Sequence, residues 1–190
     1  MKKIILANFF LILIAVSLVS AEPNLEIEKI SKGDAIINEF NQPAVFDFIV
    51  DNNGEADYFQ IYSLVGVSMY PKGLFYLPKG KTTIEVRAYP NSELKKIGGS
   101  LNFEYQLRGE NSGIFKDKLL IDIVPFEESL RVLVDDILPN DKEVNVNMEN
   151  IKNAYIENLD IRFQSEFFDF SRKISFKPHE KLSFRTAIDS

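Results

Sequence analysis

The chain has no cysteine, no tryptophan and a single histidine among its 190 residues. Without cysteine there is no disulfide, no thiol nucleophile and no thiolate metal site. With one histidine a multi-histidine metal centre is ruled out, and a Ser-His-Asp arrangement would have to use His179. His179 stands beside Pro178 in a turn, with nothing nearby in sequence to form a pocket or orient the ring, and is read as an exposed loop residue. Also missing are any Asn-x-Ser/Thr sequon and, between Leu25 and Val124, any run of ten residues with helical periodicity. Basic residues are scarce relative to acids: 22 Lys and Arg stand against 28 Asp and Glu. Setting Lys2 and Lys3 aside with the leader takes the formal charge from -6 to -8. Such a surface disfavours nucleic acid and anionic lipid, which are bound mainly through Lys and Arg.

What is present begins with a leader. Met1-Lys2-Lys3 is basic, Ile4 to Val19 is almost wholly apolar, and Val19-Ser20-Ala21 precedes Glu22-Pro23. This is the layout of a secretory signal peptide, residues 1–21, with cleavage after Ala21. An uncleaved N-terminal anchor is the competing reading, because sixteen apolar residues at 1.5 Å rise approach the thickness of a hydrocarbon core. Both readings place the remainder outside the cytoplasmic membrane, secreted or at the cell surface, with the membrane touched only through an uncleaved leader. Cores without disulfides must then rest on apolar bulk, which 16 Phe and 7 Tyr supply.

The organising stretch is Val45 to Phe59. Phe46, Phe48 and Val50 alternate with Asp47, Ile49 and Asp51, the period of a strand. Asn52-Asn53-Gly54 suit the left-handed conformations of a tight reversal, so a hairpin into Tyr58 to Val65 is predicted. Leu25 and Ile27 open an earlier strand that breaks at Gly33-Asp34, and Ile36-Ile37 is too short to classify. Thr82, Ile84, Val86 and Ala88 form the clearest alternating strand, followed by Leu101 to Leu107 and Leu119 to Ile123. Seven or eight short strands in about 100 residues, punctuated by Gly, Pro and Asn, have the rhythm of an immunoglobulin-like sandwich.

Pro125 to Ser129 is the expected seam. Beyond it, Val144 to Met148 followed by Glu149-Asn150 echoes Phe46 to Val50 followed by Asp51-Asn52. Phe176-Lys177-Pro178 before Leu182, Phe184 and Thr186 echoes Leu77-Pro78 before Thr82, Ile84 and Val86. Offsets of 98 and 100 indicate a tandem repeat. The second copy has no counterpart of Leu101 to Leu107 or Leu119 to Ile123. Either the chain is the N-terminal piece of a longer protein, or a partner strand completes the second module. The expected organisation is therefore all-β: a signal peptide at 1–21, one immunoglobulin-like sandwich at 22–126 and a partial one at 127–190.

The apolar strand ending in Asp51-Asn52-Asn53-Gly54, the acidic turn before Phe59-Gln60-Ile61, and the Leu77-Pro78-Lys79-Gly80 turn before an alternating strand carry a family resemblance. The chain resembles the tandem immunoglobulin-like modules of archaeal and bacterial surface proteins, including CARDB-type (cell-adhesion-related) domains. The second copy departs from the pattern, since Asn150-Ile151-Lys152-Asn153 has no glycine. The resemblance implies a non-catalytic structural or protein-interaction module of the envelope. Its partners would be other envelope or surface proteins, or further modules of the same protein. No cofactor is expected.

Two ligand chemistries remain as alternatives. Calcium could be held by oxygen atoms of Asp51, Asn53 and Asp57 in the first turn, or by Glu127, Glu128, Asp135 and Asp136 near the seam. Turn chemistry and a solubilising surface explain both groups without an ion. A carbohydrate-binding or enzyme-accessory role would use aromatic faces, with Tyr62 and Tyr76 as candidates beside Tyr58, Tyr70 and Phe75. Core filling explains most of these aromatics, because sheets of this kind need large inward residues at alternate positions.

Overall fold

The computed structural model describes residues 23–139 and 141–188, so the expected leader lies outside the described residues. Within them the chain is all-β, with fourteen strands, one helical segment of six residues and one 3-10 turn. No helix among the described residues is long and apolar enough to cross a membrane.

The first hundred residues form two sheets. β1 (Leu25–Gly33), β3 (Ala44–Asn52), β7 (Gly80–Pro90) and β5 (Val67–Tyr70) make an antiparallel sheet in the order β1-β3-β7-β5. β2 (Ala35–Ile37), β9 (Ile114–Val124), β8 (Gly99–Gly109), β4 (Asp57–Ser63) and β6 (Phe75–Leu77) make the second, in the order β2-β9-β8-β4-β6, with β2 parallel to β9. Alternation decides what each sheet buries. Phe46, Phe48, Val50, Val86 and Ala88 of the first sheet share a core with Phe59, Ile61, Tyr105, Leu107 and Ile121 of the second. The rings of Phe48 and Tyr105 meet across the layers at 5.2 Å. Each buried Val, Leu, Ile or Phe of this core contributes about 1.5–3 kcal/mol by removal from water.

Strand β2 explains a run that alternation alone could not classify. Ile36 packs into this first core, while Ala35 and Ile37 pack into a second core formed with the later strands. A strand covered on both faces has no polar side to show, so its sequence reads as continuously apolar.

The predicted hairpin is not formed. β3 and β4 lie in different sheets, and the chain between them arches across the edge of the core. None of Asn52, Asn53 and Gly54 has a positive φ, so the primed turn that would fold β4 back beside β3 is absent. The Asn52 side chain shapes the arch instead. Its Nδ2 donates to the carbonyls of Glu55 (3.0 Å) and Pro78 (3.2 Å), and its Oδ1 accepts from Gly54 N at 3.0 Å.

After the 3-10 turn Phe126–Glu128 at the seam come β10 (Leu130–Val134), β11 (Glu143–Asn150) and β14 (Lys181–Ala187), an antiparallel sheet ordered β10-β11-β14. β12 (Ile156–Gln164) and β13 (Asp169–Phe176) form a separate two-stranded sheet. The echo in sequence is an echo in register: Leu25 faces Asn52 as Leu130 faces Asn150, and Val50 faces Thr82 as Met148 faces Leu182. Asn150 repeats the asparagine geometry. Its Nδ2 donates to the carbonyls of Ala154 (2.7 Å) and Lys177 (2.9 Å), and its Oδ1 accepts from Lys152 N at 3.1 Å. The second arch therefore needs no glycine, because the backbone there is held by the same side-chain hydrogen bonds and not by a left-handed turn.

Candidate functional site

Strand β12 is where the later sheets differ most from the earlier ones. β4 is paired with β6 on one side and, through Phe59 to Ser63, with β8 on the other. β12 is paired only with β13, and among the described residues no strand lies along its other edge. The pairing gives the correspondence. Asp57 opposite Leu77 matches Ile156 opposite Phe176, and Phe59 opposite Phe75 matches Leu159 opposite Ile174. One extra residue lies between these points in β12, a bulge at which Asn158 takes a φ of 55°. Ile61 and Ser63 then correspond to Ile161 and Phe163.

Burial follows from the open edge. Phe59 and Ile61 are enclosed, whereas Leu159, Ile161 and Phe163 are half-buried. On the facing sheet Val86 is fully enclosed, whereas the corresponding Thr186 is half-buried. Val132 and Val134 share the inner face of their sheet with Met148 and Val146, yet each is 46% exposed. The apolar face is not bare throughout. Val144, Val146 and Met148 of β11 are buried, the first two beneath Phe168 with Phe163 and Phe170 packed against them. On the inner faces of these later sheets the incomplete cover is thus greatest at β10 and along the free side of β12.

One polar position records the difference. Asp57 accepts hydrogen bonds from Tyr58 N, Asn111 N, Asn111 Nδ2, Ser112 N and Ser112 Oγ at 2.7–3.0 Å, fastening the β8–β9 turn to β4. Burial alone would raise its pKa, but these donors together hold the carboxyl well below the usual carboxylate range. In β12, with no such turn to fasten, the corresponding residue is the fully buried Ile156. Along the outward row of β12, Arg162 is bound to Asp169 through two hydrogen bonds. Asp160 is exposed and, among the described residues, in no ion pair, although Lys173 stands opposite it on β13.

The oxygen ligands singled out in the sequence are dispersed. No group of three carboxylate or imidazole side chains among the described residues converges on one point. Asp57 is committed to Asn111 and Ser112; Asp51 lies 3.9 Å from Lys81 across the outer face of its sheet. Asn53 sits in the arch, with its backbone N donating to Asn24 O. Glu127 and Glu128 lie in the 3-10 turn, while Asp135 accepts from Asn145 and Asn147 on the far end of the sheet. Asp136 follows it in the loop.

The aromatic candidates are on the outer face of the five-stranded sheet. Tyr76 and Tyr58 are about half exposed and meet at 5.3 Å with their planes tilted by 54°. Tyr62 donates its hydroxyl to Gln106 Oε1 at 2.7 Å, and the Arg108 guanidinium lies 5.6 Å over its ring. Phe75 packs against the core. His179 is exposed, with a φ of 57°, in the turn before β14.

The residues that define the open edge, Leu159, Asp160, Ile161 and Phe163, went unremarked in the sequence. Their signal was there, since Leu159, Ile161 and Phe163 alternate with Asp160, Arg162 and Gln164 in the period of a strand.

No family model matches the chain, and no curated protein matches it. Among solved structures it is similar to the E. coli chaperone DraB, at 9% identity over 84% of this chain and 85% of that one, with a TM-score of 0.40. A protein of unknown function from Porphyromonas gingivalis W83 matches at 14% identity, 87% and 83% coverage and a TM-score of 0.35. The CupB2 chaperone of Pseudomonas aeruginosa matches at 13% identity, 82% and 87% coverage and a TM-score of 0.34.

Proposed function

We propose that the chain is a non-catalytic, extracytoplasmic protein-interaction module made of two immunoglobulin-like units, residues 22–126 and 127–190. The second unit makes its contacts through the side left open at β10 and β12. The observation that carries this reading is the exposure of Val132 and Val134 on the inner face of their sheet. Inward apolar side chains left in water favour a protein partner that covers them. The acidic surface and the leader favour work beyond the membrane, among envelope or surface proteins.

Carbohydrate binding is less well supported. A sugar stacks on an open aromatic face. The Tyr58 and Tyr76 rings are tilted against each other, and the Tyr62 ring is capped by Arg108. Retention on insoluble polysaccharide would favour that reading over the present one.

A photoreactive amino acid in place of Val134, with one in place of Glu28 on the outer face of β1 as control, tests the proposal in intact cells. A protein adduct of defined mass from position 134 and none from position 28 is the expected result. Equal labelling, or no adduct at either position, would contradict it.

A further inference from the structure

Resting on the interaction reading above, we infer that the free edge of β12 accepts an extended segment of another polypeptide. The segment runs antiparallel to β12, with large apolar side chains at alternate positions and a basic residue opposite Asp160. The earlier half of the chain supplies the template. There β8 runs antiparallel to β4, with Leu107 opposite Ile61, Tyr105 opposite Ser63 and Arg108 opposite Gln60. Leu107 and Tyr105 are fully buried. Carried to β12 through the pairing correspondence, these positions fall opposite Ile161, Phe163 and Asp160.

Three features select this occupant. The backbone groups along the free edge of β12 are unpaired by strand, which offers a ladder to an extended chain. The inward row Leu159, Ile161 and Phe163 is half-buried and would be completed by apolar side chains from the next strand, as Phe59 and Ile61 are by β8. The outward row carries Asp160 with no ion pair among the described residues, where the template has the neutral Gln60. A cation directly across the ladder complements that carboxylate.

A second copy pairing β12 with β12 is disfavoured by shape. Antiparallel strands in one sheet keep their inner faces on the same side, so the partner's own β10-β11-β14 sheet would have to occupy the space already filled by this one. The occupant is therefore a lone extended segment and not a strand still layered on its own sheet.

The peptide GSLNFEYQLRG, which is the chain's own residues 99–109, carries the required pattern and serves as the probe with the intact protein. The expected result by NMR is saturable shifts confined to 156–164 and to Val132 and Val134, with cross-strand contacts placing peptide Leu107 against Ile161. Reversing the peptide charge with Arg108→Glu should weaken binding by about fivefold, as should Asp160→Lys in the protein, and combining the two should restore it. Asp160 is exposed, so its replacement leaves the fold intact. No saturable shifts, shifts equally strong with a scrambled peptide, indifference to both charge reversals, or a protein dimer that excludes the peptide would each overturn the strand-acceptor inference. If the peptide fails while position 134 still gives its adduct, the interaction reading survives and strand addition does not. If both fail, both readings fall.

Discussion

Two asparagines hold the arches that carry the chain from one sheet to the other. Asn52 and Asn150 are buried, and each makes three hydrogen bonds to backbone groups of its arch and of the turn before the following strand. Removing either deprives two backbone carbonyls and one amide of their side-chain partner, so Asn52→Ala and Asn150→Ala are each expected to cost about 1–3 kcal/mol in denaturant unfolding. The sequence marked both as turn formers. It did not disclose the lock, because the distal acceptors Pro78 and Lys177 lie 26 and 27 residues further on. Asp57 reads in the sequence as a carboxylate in an acidic turn, because its partners Asn111 and Ser112 are more than fifty residues away. Its depressed folded-state pKa sets a sign. The ionised form is favoured by folding, so its contribution is complete above the unfolded value near 4 and is lost as pH falls towards the folded one. Asp57→Asn should cost about 1–3 kcal/mol at pH 7, and the gap to wild type should narrow in melts taken from about pH 5 down to pH 2.

At the scale of elements, alternation identified β3, β7, β8, β9 and β11 because each buries one face only. It could not say which strands share a sheet. The arch after β3 contains Asn-Asn-Gly, which fits a primed hairpin equally well by composition, and only the absence of positive φ separates the two outcomes. The helix α1 (Ser92–Ile97) is too short to show a period. Its start was nevertheless written in the chain, since Asn91 Oδ1 accepts from Leu94 N at 2.9 Å. Asn91→Ala should lower stability by about 1 kcal/mol, measured by thermal unfolding. β12 had a readable alternation, but a free edge is a property of what is not beside a strand, and no residue in the strand itself encodes it. Its bulge at Asn158 is one of the devices by which natural edges limit indiscriminate pairing, and it leaves Leu159 to Gln164 as the straight portion.

Across the whole molecule the two sets of sheets are joined by a common core. Ala35, Ile37, Phe40, Val124 and Phe126 from the first hundred residues and the seam pack with Met148, Ala154, Ile156 and Phe176 from the rest. Asn153 ties the same region, donating to Ser31 Oγ and Asp34 Oδ1 while its carbonyl accepts from Ala35 N. The echoing strand registers were visible in the sequence as offsets of 98 and 100, whereas this junction is built from residues that no local pattern brings together. It predicts one cooperative transition in calorimetry. A side chain at Gly33 would start 3.1 Å from the Tyr155 ring, so Gly33→Val should loosen the junction and split that transition in two.

Amide hydrogen exchange along β12 in the isolated protein tests the open edge most directly. Between Leu159 and Gln164 the amides should alternate, those bonded to β13 protected and every second one exchanging at least about a hundredfold faster. Uniform protection from Leu159 to Gln164, equal to that of β4 from Phe59 to Ser63, would mean that the edge is already occupied and would contradict the account.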